Sequence, residues 1–92
     1  MGIALVQIKI MPSSPEADLN EIKSAAETII KEIAEPNQGI KTEENPIAFG
    51  LKALMISFAM NESKELDPIE FKLREIPNVT SAEVEDFRRA FG

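Results

Sequence analysis

The chain predicts an α+β fold: a four-stranded antiparallel sheet with two helices on one face. Three observations predict it. Apolar residues alternate at every second position near both ends and in the middle of the chain. Two stretches with helical spacing separate these segments. Each opens on an aspartate followed three places later by a glutamate, Asp18 with Glu21 and Asp67 with Glu70. The order is therefore strand, helix, strand, strand, helix, strand, and right-handed crossovers place both helices on the same side of one sheet.

Ile3–Met11 is the first strand, with Ala4, Val6, Ile8 and Ile10 on one face and Gln7 and Lys9 on the other. Pro12-Ser13-Ser14-Pro15 breaks it. Asp18 reads as a helix N-cap with Glu21 completing a capping box, and Glu16, Asp18 and Glu21 together suit the positive end of the helix dipole. Leu19, Ile22, Ala26, Ile29, Ile30 and Ile33 recur at helical spacing to about Ala34, and Pro36, Asn37 and Gly39 end the helix. Ile40–Asn45 is a polar second strand. After an interruption at Pro46–Gly50, Leu51–Met60 is the clearest strand, with Leu54, Ile56, Phe58 and Met60 alternating against Ala53, Met55, Ser57 and Ala59.

Asn61–Leu66 reads as a loop. Asp67 then caps a second helix, Pro68 takes its first position and Glu70 reaches back. Ile69, Leu73 and Ile76 mark its buried stripe, with Phe71 or Lys72 beside it, and Pro77-Asn78 stops it. Val79 to about Arg88 is the last strand, with Ala82 and Val84 on one face, and Arg88–Gly92 is a tail whose Phe91 closes the end of the core. The first and last strands are expected to be neighbours, over a core of Val6, Ile8, Ile22, Ile29, Ile33, Leu54, Ile56, Phe58, Leu73 and Val84. This is the split βαβ, or ferredoxin-like, arrangement.

Composition narrows the function. The 92 residues suit one domain, 1–92, with one modest core. The chain has no cysteine and no histidine, so no Ser-His, Cys-His or thiolate site can be written, and its four glycines are too scattered for a phosphate loop. No cofactor is expected. The net charge of −6 opposes a nucleic-acid backbone and favours a protein partner with a basic surface. The exposed face of the central strands carries Gln7, Lys9, Met55 and Ser57 rather than the aromatics of an RNA-binding sheet. No apolar run approaches the roughly 20 residues of a membrane span, and the N-terminus lacks the pattern of a signal peptide. These features fit a cytoplasmic protein with no membrane and no direct nucleic-acid partner, with a monomer favoured.

The most informative run is Pro46-Ile47-Ala48-Phe49-Gly50-Leu51. Pro46 breaks the strand ladder, and Gly50 lets the backbone bend. Phe49 sits between them. It has two readings: packing into the core at a strand start, or presentation outward as an interface anchor. Glu43, Glu44, Glu83, Glu85 and Asp86 read as solvated faces of edge strands, where charge blocks unwanted pairing. Met11, Met55 and Met60 read as fillers of the core or sheet face.

With these residues in view, the chain resembles the archaeal elongation factor 1-beta family and the C-terminal exchange domain of the eukaryotic counterparts. Asn45–Leu54 carries the resemblance, supported by Val79-Thr80-Ser81-Ala82-Glu83-Val84 and by the order of elements over the whole chain. The resemblance implies a ferredoxin-like fold and guanine-nucleotide exchange on elongation factor 1-alpha, the GTPase that brings aminoacyl-tRNA to the ribosome. It implies partner-binding roles for Pro46, Ile47, Phe49 and Gly50, with the aromatic inserting into the GTPase. It also implies that the end of the last strand acts on the nucleotide site. The eukaryotic proteins carry a lysine near the extreme C-terminus. This chain departs from that pattern, having no lysine there, and Arg88 and Arg89 are the partner-binding cations expected to take a comparable part.

The reading is thus an exchange factor that works by binding, without bond-making chemistry. The alternative from another class is a ferredoxin-like regulatory module that senses a small molecule as a dimer. A self-complementary sheet face would distinguish it.

Overall fold

A computed structural model of the protein describes residues 2–35 and 39–91, the side chains of residues 90 and 91 excepted. The roles read for Pro36 and Asn37 in ending the first helix, and for the Phe91 ring, lie outside the described residues. The elements are β1 (Ile3–Pro12), α1 (Leu19–Ile30), β2 (Lys41–Pro46), a 3₁₀ turn (Ala48–Gly50), β3 (Lys52–Asn61), α2 (Asp67–Arg74) and β4 (Val79–Phe91). The strands form one antiparallel sheet in the order β2-β3-β1-β4. The ferredoxin-like α+β fold is therefore as the sequence predicts, with β1 and β4 adjacent.

Period-2 alternation builds the core. Ala4, Val6, Ile8 and Ile10 of β1 stand opposite Met60, Phe58, Ile56 and Leu54 of β3, and all eight are buried. Ile22, Ala26 and Ile30 of α1 and Ile69 and Leu73 of α2 close over that face, with Ile33, Ile76 and Ala82 at its margins. Ile29 and Val84, expected inside, are only half-buried and pack against the core from outside. Met60 is buried, while Met11 and Met55 are half-buried. The opposite sheet face bears Leu5, Gln7, Lys9, Met55 and Ser57, and among the described residues no helix lies over it.

Three sequence expectations need correction. First, α1 ends at Ile30 rather than near Ala34, because the following backbone pairs with β3: Ala34 bridges Met60, and the Glu35 N–H donates to Ala59 O at 2.8 Å. Asp18 caps its start as expected, its Oδ1 accepting from the Asn20 N–H at 2.9 Å, but among the described residues Glu21 makes no reciprocal bond, so the capping box does not form. Second, Leu66, not Asp67, is the N-cap of α2 and makes no side-chain cap bond. Leu66 packs against the core in a helical conformation, and its carbonyl accepts from the Ile69 and Glu70 N–H groups. Phe71 also lies outside the buried stripe, 63% exposed, with the Arg74 guanidinium 5.8 Å from its ring centroid.

Third, β4 runs to Phe91, so Arg88 and Arg89 belong to a strand and not to a tail. Its pairing with β1 is interrupted between Gln7 and Ile8: Val84 faces Ile8, Asp86 faces Gln7, and Glu85 is the extra residue of a bulge. The bulge exchanges the faces. Before it, Ala82 and Val84 stand on the helix side. After it, Phe87 and Arg89 do, opposite Val6 and Ala4, while Asp86 and Arg88 stand on the open face opposite Gln7 and Leu5.

Candidate functional site

The β2–β3 hairpin ends in a strained, apolar tip. The ladder closes at Pro46 opposite Lys52. Beyond it, the Ile47 N–H donates to Leu51 O at 2.7 Å and the Leu51 N–H to Ala48 O at 3.2 Å. The chain must therefore reverse within Ala48, Phe49 and Gly50. It does so with two successive left-handed residues, Phe49 at φ 62° and Gly50 at φ 76°. Gly50 adopts this at no steric cost. Phe49 does not, since a bulky side chain at positive φ is a true outlier that costs about 1–2 kcal/mol. Such strain persists where function or the surrounding structure demands it.

The geometry drives the Phe49 ring out of the fold, where it is 94% exposed. Of the two sequence readings of Phe49, core packing is thereby excluded for the free protein. Ile47 is also exposed, as is Pro46. Gly50 lies beside Pro15 of the β1–α1 loop, and a Cβ placed on it would come 3.7 Å from Pro15 Cβ. The tip thus lies beside a proline-rich loop. Charged residues of both signs stand near its base: Asp18 and Glu44 are exposed, and Lys52, opposite Pro46, has its Nζ 3.9 Å from Glu44 Oε1.

Arg88 and Arg89 occupy the opposite end of the sheet. From Leu5, opposite Arg88, the strands run past the Ile10–Leu54 pair to the tip. At ~3.3 Å per residue this is about 30 Å, along a molecule 42 Å in its longest dimension. The structure therefore brings Pro46, Ile47, Phe49 and Gly50 together and the two arginines together, but not the two groups.

The arginines also differ from each other. Arg88 is on the open face, its Nε 2.8 Å from Asp86 Oδ2, and 75% of its side chain is exposed. Arg89 is on the helix face, its Nε 2.7 Å from Glu62 Oε2 in the β3–α2 connection. Sequence reasoning missed Glu62. Asp86, two residues before Arg88 on one strand, was a visible signal for the first pair; no spacing announces the second, which joins distant segments. Beside Arg88 the open face holds a shallow basin of ≈ 480 Å³, lined by Leu5, Gln7, Lys41, Ser57, Asp86 and Arg88 among others. Glu43, Glu44, Glu83 and Glu85 lie exposed on β2 and β4, which are the two edge strands. No helix among the described residues is long and apolar enough to cross a membrane.

Comparison with known proteins bears directly on this arrangement. Residues 5–90 match the family described as the EF-1 guanine nucleotide exchange domain. The elongation factor 1-beta of Methanoregula boonei is 37% identical over 86 residues, covering 91% of this chain and 93% of that one. The elongation factor 1-beta of Pyrococcus abyssi is 40% identical over 86 residues, covering 89% of each. That of Methanocella arvoryzae is 35% identical over 92 residues, covering 99% of this chain and 100% of the other.

Proposed function

This chain belongs to the EF-1 guanine nucleotide exchange family, a family of translation elongation factors, and we propose that it accelerates GDP release from elongation factor 1-alpha. It acts as a single domain in the cytoplasm, by protein–protein binding and without covalent chemistry. The observation that carries the proposal is the Phe49 ring, held outward on a left-handed backbone at the hairpin tip.

The mechanism is one of differential affinity. An exchange factor must bind the nucleotide-free GTPase more tightly than the loaded one, and linkage then lowers the GTPase's affinity for GDP by the same factor. A pre-shaped wedge suits this task. Phe49 loses little conformational freedom on docking, because its backbone is already fixed by the Ile47–Leu51 closure. Burial of its ring and of Ile47 in the partner supplies an anchor. The net charge of −6 steers the protein to a basic surface on the GTPase. At the far pole Arg88 and Arg89 are both exposed, and Arg88, on the open face, is the cation that can meet phosphate or displace a divalent ion, for which a planar guanidinium is well suited.

The test is the release of a fluorescent GDP from the cognate elongation factor 1-alpha, with and without this protein. The expected result is saturable acceleration at micromolar concentrations. An unchanged release rate at those concentrations would defeat the proposal.

A further inference from the structure

The two arginines of the β4 end are chemically alike but are held in different ways. Asp86 and Arg88 are two residues apart on one exposed strand, so their ion pair joins nothing that the strand does not already join. The Arg89–Glu62 pair instead ties the last residues of the edge strand β4 to the connection that follows β3. Glu62 is itself anchored. Its N–H donates to Gly2 O at 3.0 Å, just beyond the Ile3–Asn61 pair that ends the β1–β3 ladder, and its side chain is only 27% exposed.

The end of β4 needs such a tie. It lies on the sheet edge and, among the described residues, pairs with β1 alone. Its register is broken by the bulge at Glu85 and shifts again between the Ala4–Arg89 and Ile3–Phe91 pairs. Between those two irregularities the ladder holds only Asp86 to Arg89. Strand ends with few contacts fray readily.

We propose that Glu62 is a positioning residue. By holding Arg89 on the helix face, it fixes the end of β4 in register and thereby fixes the direction in which Arg88 leaves the open face. This deepens the exchange-factor reading and rests on it for the activity arm of its test. Glu62 lies on the far side of the sheet from the Arg88 side chain, so it acts through the strand rather than on the nucleotide site.

The experiment has two readouts on Glu62→Gln, a substitution that keeps the shape and removes the charge. The first is amide hydrogen exchange of residues 87–91 in the isolated protein. We expect it to quicken by about fivefold, the upper range for loss of one exposed ion pair, with the core amides of β1 and β3 unchanged. The second is GDP release from elongation factor 1-alpha as a function of factor concentration. The saturating rate should fall while the half-saturating concentration stays put. The charge-exchanged double variant, Glu62→Arg with Arg89→Glu, should restore the amide exchange. Unchanged amide exchange at residues 87–91 in Glu62→Gln overturns the proposal. So does amide exchange that stays quickened in the double variant, or a saturating rate in Glu62→Gln equal to that of the wild type. If the wild-type protein releases no GDP, the exchange-factor reading fails by itself, and the amide arm still decides whether Glu62 orders the strand.

Discussion

Replacing Phe49 by alanine separates an interface anchor from a structural residue. With 94% of the residue exposed, the ring contributes almost no burial to the free fold. Full burial of a phenylalanine is worth about 1.5–3 kcal/mol, so the small covered fraction is worth no more than about 0.2 kcal/mol. Alanine at this position keeps the left-handed backbone, so the strain is neither added nor relieved. In a domain of this size 1 kcal/mol moves Tm by about 4–8 °C, which makes the expected shift about 1 °C. Binding should behave differently. If the ring becomes buried in the partner, its loss costs about 2 kcal/mol, or about 30-fold in affinity. Calorimetric melting of the free variant gives the first quantity, and titration of GDP release against factor concentration gives the second. A fall in Tm of 5 °C or more would show that the ring packs on its own fold. An unchanged half-saturating concentration would show that the tip is not the anchor.

Other expectations follow from the same geometry. Gly50→Ala should destabilise the free protein by about 1 kcal/mol through its positive φ alone, because the added Cβ would meet Pro15 at an ordinary contact distance; chemical denaturation would measure it, and a neutral result would contradict the left-handed geometry. Arg88→Ala should leave thermal stability within about 0.5 kcal/mol of wild type, as expected for an exposed side chain, while slowing GDP release at saturating factor. Equal loss of half-saturation and rate would instead assign Arg88 to binding. Raising ionic strength should slow association with the GTPase and change dissociation much less, as expected for an acidic factor steered to a basic surface; stopped-flow rates that ignore salt would confine the net charge of −6 to solubility.

The central part of the fold was legible because burial there obeys a strict period. Ala4 to Ile10 and Leu54 to Met60 sit between the sheet's other strands, with one face under the helices, so every second residue had to be apolar. Legibility fails where a tertiary partner decides. The end of α1 was set by pairing of Ala34 and Glu35 with β3, which helical spacing through Ile33 conceals. The start of α2 was set by the packing of Leu66, whereas Asp67 has the better local chemistry for a cap. At the tip, Pro46 and Gly50 announced a turn, but the left-handed conformation of Phe49 runs against the propensity of its residue type and left no trace in the sequence. The arginines were identified as cations near the chain end. Their placement in a strand, on opposite faces and with Asp86 and Glu62 as partners, depends on register rather than composition.

The single extra residue at Glu85 acts as a phase shift in the β4 sequence. Counting by twos from Val84 would send Arg88 under the helices and Arg89 to the open face; the bulge reverses both assignments. Deleting Glu85 would join Val84 to Asp86 and make the ladder regular, leaving Arg88 opposite Leu5 on the open face and Arg89 opposite Ala4 on the helix face. Straightening the bulge with Glu85 kept in the ladder would instead transpose the two cations across the sheet and turn Phe87 to the open side. A relative of equal length without the bulge could align column for column and still present the neighbouring side chain to its partner. For this strand, equivalence between proteins is a matter of which face a position occupies, and whether one residue is paired or bulged carries as much functional information as the identity of the cation beside it.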